Sequence, residues 1–267
     1  MKPGALRQSF AKGGKRHKAA MHLIPNLFTT GNLLCGVYAI LSVFDTNYLA
    51  AAIAILVAMV FDVLDGKSAR LTNSTSHFGL EYDSLSDVVS FGVAPGLLIY
   101  SWALSGLGTF GVAVMFAYVA MGAVRLARFN STVSVADSKY FTGLAIPAAA
   151  GVVASLVVFD HYVAHLGPDV KPVLVLGIAL ALSFLMVSTI KYRSFKDLKF
   201  KGRQQVQYLV WGILGLMLVA AWPQGMVLVV FAGYALLGPT ERLFWLGAKA
   251  VGKKPVNKPE PPVEANV

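Results

Sequence analysis

Leu49-Ala50-Ala51-Ala52-Ile53-Ala54-Ile55-Leu56-Val57-Ala58-Met59-Val60-Phe61-Asp62-Val63-Leu64-Asp65-Gly66 is apolar without a break as far as Phe61 and then carries two aspartates three residues apart. The run does not alternate, so it does not read as a half-exposed strand. At about 1.5 Å per residue it approaches the thickness of a bilayer's hydrocarbon core. Similar blocks recur, placing spans near 23–44, 49–66, 86–104, 108–128, 143–165, 171–190, 207–222 and 225–246. Blocks of about 17 to 23 residues favour helices over the ten-residue alternations of a β-barrel.

Composition points the same way. Of 267 residues 56% are apolar and 13% charged, whereas soluble chains carry roughly 25% charged residues. A soluble globule of this size would lack the polar surface to cover itself. The apolar content excludes a disordered chain, Gly and Pro show no collagen-like period, and Cys35, the single cysteine, excludes a disulfide scaffold. The expected fold is an all-α, polytopic membrane helical bundle of about eight transmembrane helices.

The basic residues orient it. With eight spans and both termini cytoplasmic, 22 of the 23 Lys and Arg residues fall on the cytoplasmic side and Lys171 alone falls outside, as the positive-inside rule requires. The net charge of +10 is then accounted for by topology and by attraction to anionic membrane lipids. No aromatic-rich basic groove accompanies the basic runs, so no nucleic-acid partner is expected. The first apolar block is longer than a signal peptide's h-region and lacks a convincing cleavage site, and is read as a retained span.

Acids are scarce, yet five of the thirteen lie between residues 62 and 87. Asp62 and Asp65 share a helix face by their spacing, as do Asp83 and Asp87. A short loop makes the two helices antiparallel neighbours, so four carboxylates can converge. Such anions repel one another unless cations sit among them. Hard divalent ions, Mg²⁺ or Mn²⁺, suit oxygen ligands and bridge substrate phosphates, and two ions suit this number of carboxylates better than one. Gly66 and Ala69 continue the carboxylate face with almost no side chain, and Arg70 adds a cation suited to phosphate. Together these suggest a nucleotide diphosphate. Small residues also serve helix packing, and a single acid at a span end can be merely interfacial. Five acids in a short stretch of a charge-poor chain favour a site.

The pattern Asp62-x₂-Asp65-Gly66-x₂-Ala69-Arg70-x₈-Gly79-x₃-Asp83-x₃-Asp87 resembles, at every fixed position, the signature of the CDP-alcohol phosphatidyltransferases. Flanking segments, Ile24–Thr29, Ser84–Gly92, Arg125–Asn130 and Phe141–Pro147, are similar to the phosphatidylserine synthase branch. The resemblance covers roughly residues 22–150.

It implies transfer of a phosphatidyl group from CDP-diacylglycerol to L-serine, giving phosphatidylserine and CMP. Asp62, Asp65, Asp83 and Asp87 would hold the metals, with Asp87 also the general base. Gly66, Ala69, Arg70, Ser76 and Gly79 would line the CDP-diacylglycerol site, and Asn26 and Thr29 its cytidine side. It further implies a homodimer, in a bacterial cytoplasmic (inner) membrane with the active site facing the cytoplasm. The expected organisation is a basic N-terminal segment, 1–22; a six-helix core, 23–190; a basic loop, 191–206; two additional helices, 207–247; and a disordered tail, 248–267.

The acceptor is the less constrained partner. A serine zwitterion needs a cation for its carboxylate, and Arg125, Arg128 and Asn130 at the end of the fourth span are the candidates. Their spacing alone fits positive-inside charges equally well, and the resemblance favours a serine site. Two alternatives stand beside this reading. One is the same chemistry with glycerol 3-phosphate or inositol phosphate as acceptor. The other is an ion or solute carrier, which would place its ionisable groups near the bilayer midplane and often in repeated halves.

Overall fold

A computed structural model describes residues 25–71, 76–132, 140–193, 217 and 221–250. Seven helices among these residues are long and apolar enough to cross a membrane. They are α1 (Pro25–Phe44), α2 (Tyr48–Leu71), α3 (His77–Leu107), α4 (Thr109–Thr132), α5 (Ile146–Phe159, continued by a wide turn Asp160–Ala164), α6 (Val170–Val187) and α7 (Pro223–Ala250). The protein is thus a polytopic membrane helical bundle. The span expected at 207–222 lies almost wholly outside the described residues, as do the segments 1–22 and 194–206 and the tail from 251.

Local chemistry sets the boundaries. Pro25 opens α1, where its missing N–H is no loss. Thr46 turns the chain in the left-handed region with φ 56°, and the Asn47 side chain accepts the Ala50 N–H at 3.1 Å to start α2. Ser76 caps α3 by accepting the Gly79 N–H at 3.0 Å. α3 therefore begins well before the apolar block at 86–104. Residues 77–85 are too polar to register as a span but are helical, and Asp83 and Asp87 stand on a formed helix rather than at its entrance. α2 likewise runs past its apolar block to Leu71.

α5 is the most enclosed helix, with Ile146 and Ala148 through Val157 buried between α2 and α7. Its Ala148-Ala149-Ala150-Gly151 run lets neighbouring backbones close in, as membrane packing favours. α4 lies along α6.

Two prolines within helices leave carbonyls to be served from elsewhere, since a proline has no N–H for the carbonyl four residues back. Pro95 faces Phe91, whose oxygen receives the Tyr118 hydroxyl at 3.4 Å. Pro239 faces Ala235, whose oxygen receives the Tyr192 hydroxyl at 3.1 Å.

Outside the helices, Tyr140–Thr142 (β1) and Lys191–Arg193 (β2) form a short antiparallel pair. It joins the loop after α4 to the loop after α6, at the end of the bundle where α2 finishes and α3 begins. Gly143 follows β1 with φ +81°, its N–H on the Ile190 oxygen at 2.8 Å, and the Met186 carbonyl fills the space a Cβ would need. Only glycine fits there.

Candidate active site

The four aspartates of the signature come together between α2 and α3. Oxygens of Asp62, Asp83 and Asp87 lie within 4.8 Å of one another. Asp65, a turn further along α2, is buried and set against the carboxyl of Asp83. Two carboxyls at that range need a shared proton or a cation to coexist.

α1 holds this cluster in register. The Thr29 hydroxyl donates to Asp65 Oδ2 at 3.0 Å, and Asn32 Nδ2 donates to Asp87 Oδ1 at 3.1 Å. In return, Ser86 and Ser90 of α3 donate to the backbone oxygens of Thr29 and Asn32 at 3.2 and 3.0 Å. Gly36 sits directly on Ser90, where any larger residue would push the helices apart.

Asn32 was not singled out in the sequence. Its signal was available: an amide in an apolar span, three residues after Thr29 and therefore on the same face. It is fully buried and positions a carboxylate.

The donor set suits a divalent metal. All the ligand atoms are hard anionic oxygens, and Asp83 Oδ1 is buried without a hydrogen-bond partner. An octahedral ion with oxygens at about 2.1 Å spans about 4.2 Å between opposite ligands. Adjacent ligands of such an ion stand closer, at about 3.0 Å, so the three oxygens, within 4.8 Å of one another, would draw in by side-chain rotation to share it.

The candidate CDP contacts border this cluster. Gly79 lies between the Ser76 hydroxyl and Asn26 Oδ1; a Cβ there would meet them at 3.1 and 3.5 Å. Asn26, Ser76 and Gly79 thus share one corner. Gly66 faces open space, with nothing within 4 Å of where its Cβ would be, and the exposed Arg70 folds its Nε onto the Gly66 oxygen at 2.9 Å. Ala69 is half-buried beside them.

The three acceptor-side candidates diverge. Arg125 is half-buried and within electrostatic reach of Asp87, Tyr234 and Asp62, in that order of strength, with its guanidinium 5.3 Å from the Phe129 ring centroid. Arg128 is exposed and donates to the Val187 oxygen at the end of α6, at 3.3 Å. Asn130 donates to the Ser84 hydroxyl on α3 at 2.9 Å. One of the three therefore lies within electrostatic reach of the acids, and two brace α4 against its neighbours.

A family model described as CDP-alcohol phosphatidyltransferase matches residues 22–187. The chain belongs to this family. Among curated proteins it is 38% identical over 234 residues to the CDP-diacylglycerol–serine O-phosphatidyltransferase of Helicobacter pylori strain J99, covering 88% of this chain and 96% of that one. It is also 38% identical over 176 residues to the protein of the same name from Bacillus subtilis, covering 66% of this chain and 93% of that one. An archaetidylserine synthase of Methanothermobacter thermautotrophicus is 39% identical over 171 residues, 63% of this chain and 69% of that one. The family region contains every signature residue, whereas α7 lies beyond it.

Proposed function

We propose that the protein is a metal-dependent CDP-diacylglycerol–serine O-phosphatidyltransferase: it joins the phosphatidyl group of CDP-diacylglycerol to the hydroxyl of L-serine and releases CMP. The observation that carries this reading is the convergence of Asp62, Asp83 and Asp87 at the family signature, with Arg125 within electrostatic reach of the same acids. The printed names of the Helicobacter and Bacillus relatives support serine as the acceptor.

In this reading Asp62, Asp65, Asp83 and Asp87 would hold divalent ions, two Mg²⁺ or Mn²⁺, at the site that receives the pyrophosphate. Bound there, such ions neutralise the charge that develops on the phosphoryl group and on departing CMP. The corner formed by Asn26, Ser76 and Gly79, with Gly66, Ala69 and Arg70, receives the CDP moiety, and Thr29 keeps Asp65 aimed from behind. Arg125 faces the serine carboxylate.

Asp87, aligned by Asn32, takes the proton from the serine hydroxyl as that oxygen attacks the lipid-bearing phosphorus. The new P–O bond forms as the pyrophosphate linkage breaks, and CMP leaves with the electron pair. The acids stand where the apolar blocks of α2 and α3 give way to polar sequence, so acyl chains can stay in lipid while serine and CMP reach water. The basic-residue pattern supports a cytoplasmic placement of that side, and the bacterial relatives support the inner membrane as its location. Assembly as a homodimer belongs to the same reading, on the resemblance alone.

The test is purified protein with CDP-diacylglycerol, offered serine, glycerol 3-phosphate or inositol phosphate in parallel. CMP release is expected with serine, to disappear with EDTA and to return with Mg²⁺ or Mn²⁺. Release with another acceptor only would remove the serine assignment, and release undiminished by EDTA would remove the metal.

A further inference from the structure

Among the described residues two buried side-chain atoms have no hydrogen-bond partner, Asn32 Oδ1 and Asp83 Oδ1. Both belong to one neighbourhood. Asp83 is part of the acidic cluster, and Asn32 donates through Nδ2 to Asp87 Oδ1 at 3.1 Å. The nitrogen and oxygen of one amide stand about 2.2 Å apart, so Asn32 Oδ1 lies no more than about 5.3 Å from that Asp87 oxygen. Asn32 is 0% exposed.

The amide is held in this orientation. The Asn32 backbone oxygen accepts the Ser90 hydroxyl at 3.0 Å, and Gly36 sits directly on Ser90. Turned over, the amide would press its oxygen on the Asp87 carboxylate and leave its N–H groups without an anion. The oxygen therefore needs a donor from somewhere else. Ionised Asp62, Asp83 and Asp87 can only accept, and Thr29, three residues earlier on the same face, already gives its hydroxyl hydrogen to Asp65. A divalent cation brings the missing donor with it. Mg²⁺ or Mn²⁺ held by carboxylates keeps several of its waters, and the ion's charge makes those waters strong donors.

We infer that Asn32 is a positioning residue of the metal centre in its own right: Nδ2 aims Asp87, while Oδ1 accepts a hydrogen bond from a water on the cation that Asp87 holds. The inference rests on the metal-dependent reading and not on serine as the acceptor. Neighbouring ligands of such an ion stand about 3.0 Å apart and a hydrogen bond adds about 2.8 Å, which covers the reach from Asp87 to Asn32 Oδ1. Partners that orient a metal's ligands from outside are worth about 10- to 100-fold in affinity. α1, which carries no acid of its own, thereby becomes part of the metal site.

The experiment titrates Mn²⁺ into full-length protein in detergent and reads the free ion by electron paramagnetic resonance, with melting followed in EDTA and in saturating Mn²⁺. Asn32→Leu keeps the volume and removes both polar heads. It is expected to weaken Mn²⁺ binding about tenfold, with melting in EDTA unchanged or higher because an unmet buried oxygen is gone. Asn32→Ala, which cannot overpack, is read in the same way if the leucine variant does not fold. The substitution is then repeated in Asp87→Asn protein, where aligning the Asp87 carboxylate no longer counts. A further loss of at least about threefold is expected there, and it separates the oxygen's role from the nitrogen's. Unchanged Mn²⁺ affinity in the single variant overturns the inference. So does a double variant that binds no more weakly than Asp87→Asn alone, including the case where neither binds, since Asn32 then acts only through Asp87. A raised serine KM with Mn²⁺ affinity intact would give the oxygen to the substrate's ammonium and overturn it as well. Wild-type protein that binds no Mn²⁺ would defeat the metal reading itself, a result distinct from a wild type that binds and variants that match it.

Discussion

Two aspartates, one at each end of the bundle, are almost equally hidden, Asp160 at 5% and Asp87 at 7% exposure. Their company differs completely. Asp160 meets the Lys171 ammonium at 2.8 Å and accepts the Leu166 N–H at 2.6 Å, and the same lysine sits 5.0 Å from the centre of the Trp102 ring. Asp87 has one neutral amide donor, Asn32, two further carboxylates within 4.8 Å, and Arg125 within electrostatic reach. A buried carboxylate is not in itself a sign of chemistry. What separates the ends is that one carboxylate is paired with its own lysine, while the other shares its site with more like charges than Arg125 can offset, which calls for a further cation from outside.

The sharpest way to break this contrast is Asp87→Asn. The amide keeps the shape and can still bond Asn32, but it can neither take a proton from an acceptor nor add an anion to the cluster. Serine-dependent CMP release is expected to fall by at least about a thousandfold, while the melting temperature holds or rises because one repelling charge is gone. Substantial residual turnover would mean that the base lies elsewhere.

The opposite pattern is expected for Asp160→Asn. It strands the Lys171 charge beside Trp102 and weakens the tie between the end of α5 and the start of α6. Lys171 is 23% exposed, so the loss falls below the 3–5 kcal/mol of a fully buried pair, at about 2 kcal/mol. Thermal unfolding in detergent is expected several degrees lower, with kcat unaltered. Reduced turnover at an unchanged melting temperature would show that the two ends are coupled.

The sequence made one end of this comparison easy to read and left the other obscure. Asp62, Asp65, Asp83 and Asp87 were legible because charge is rare in the chain and their spacing fixes a shared face on each helix. The apolar blocks gave the bundle for the same reason: a bilayer imposes length and composition locally. The long-range pairings carried no such mark. Lys171 read only as a lone outer charge, and its pairing with Asp160 depends on how α5 meets α6. Asn32 is a neutral side chain among apolar neighbours, made consequential by the helix it faces. The early start of α3 was hidden because residues 77–85 are helical without being apolar. The link from Pro239 through Ala235 to Tyr192 spans 47 positions that no periodicity connects.

Arg125 and Arg128 give the smallest expected effect and the finest test of what counts as compensation at the acidic end. By spacing they were equal candidates. The fold separates them: Arg125 is half-buried within electrostatic reach of Asp87 and Asp62, whereas Arg128 donates at 3.3 Å to the Val187 oxygen, one of the carbonyls that ends α6. A cation at a helix C-terminus contributes about 0.3–1 kcal/mol when exposed, so Arg128→Ala is expected to lower stability by no more than that and to move the serine KM less than about threefold. Arg125→Ala, measured alongside, is expected to raise the serine KM by more than tenfold. Equal shifts in the two variants would make the acceptor site a diffuse basic field; a larger shift for Arg128 would place the carboxylate against α6 and away from the aspartates.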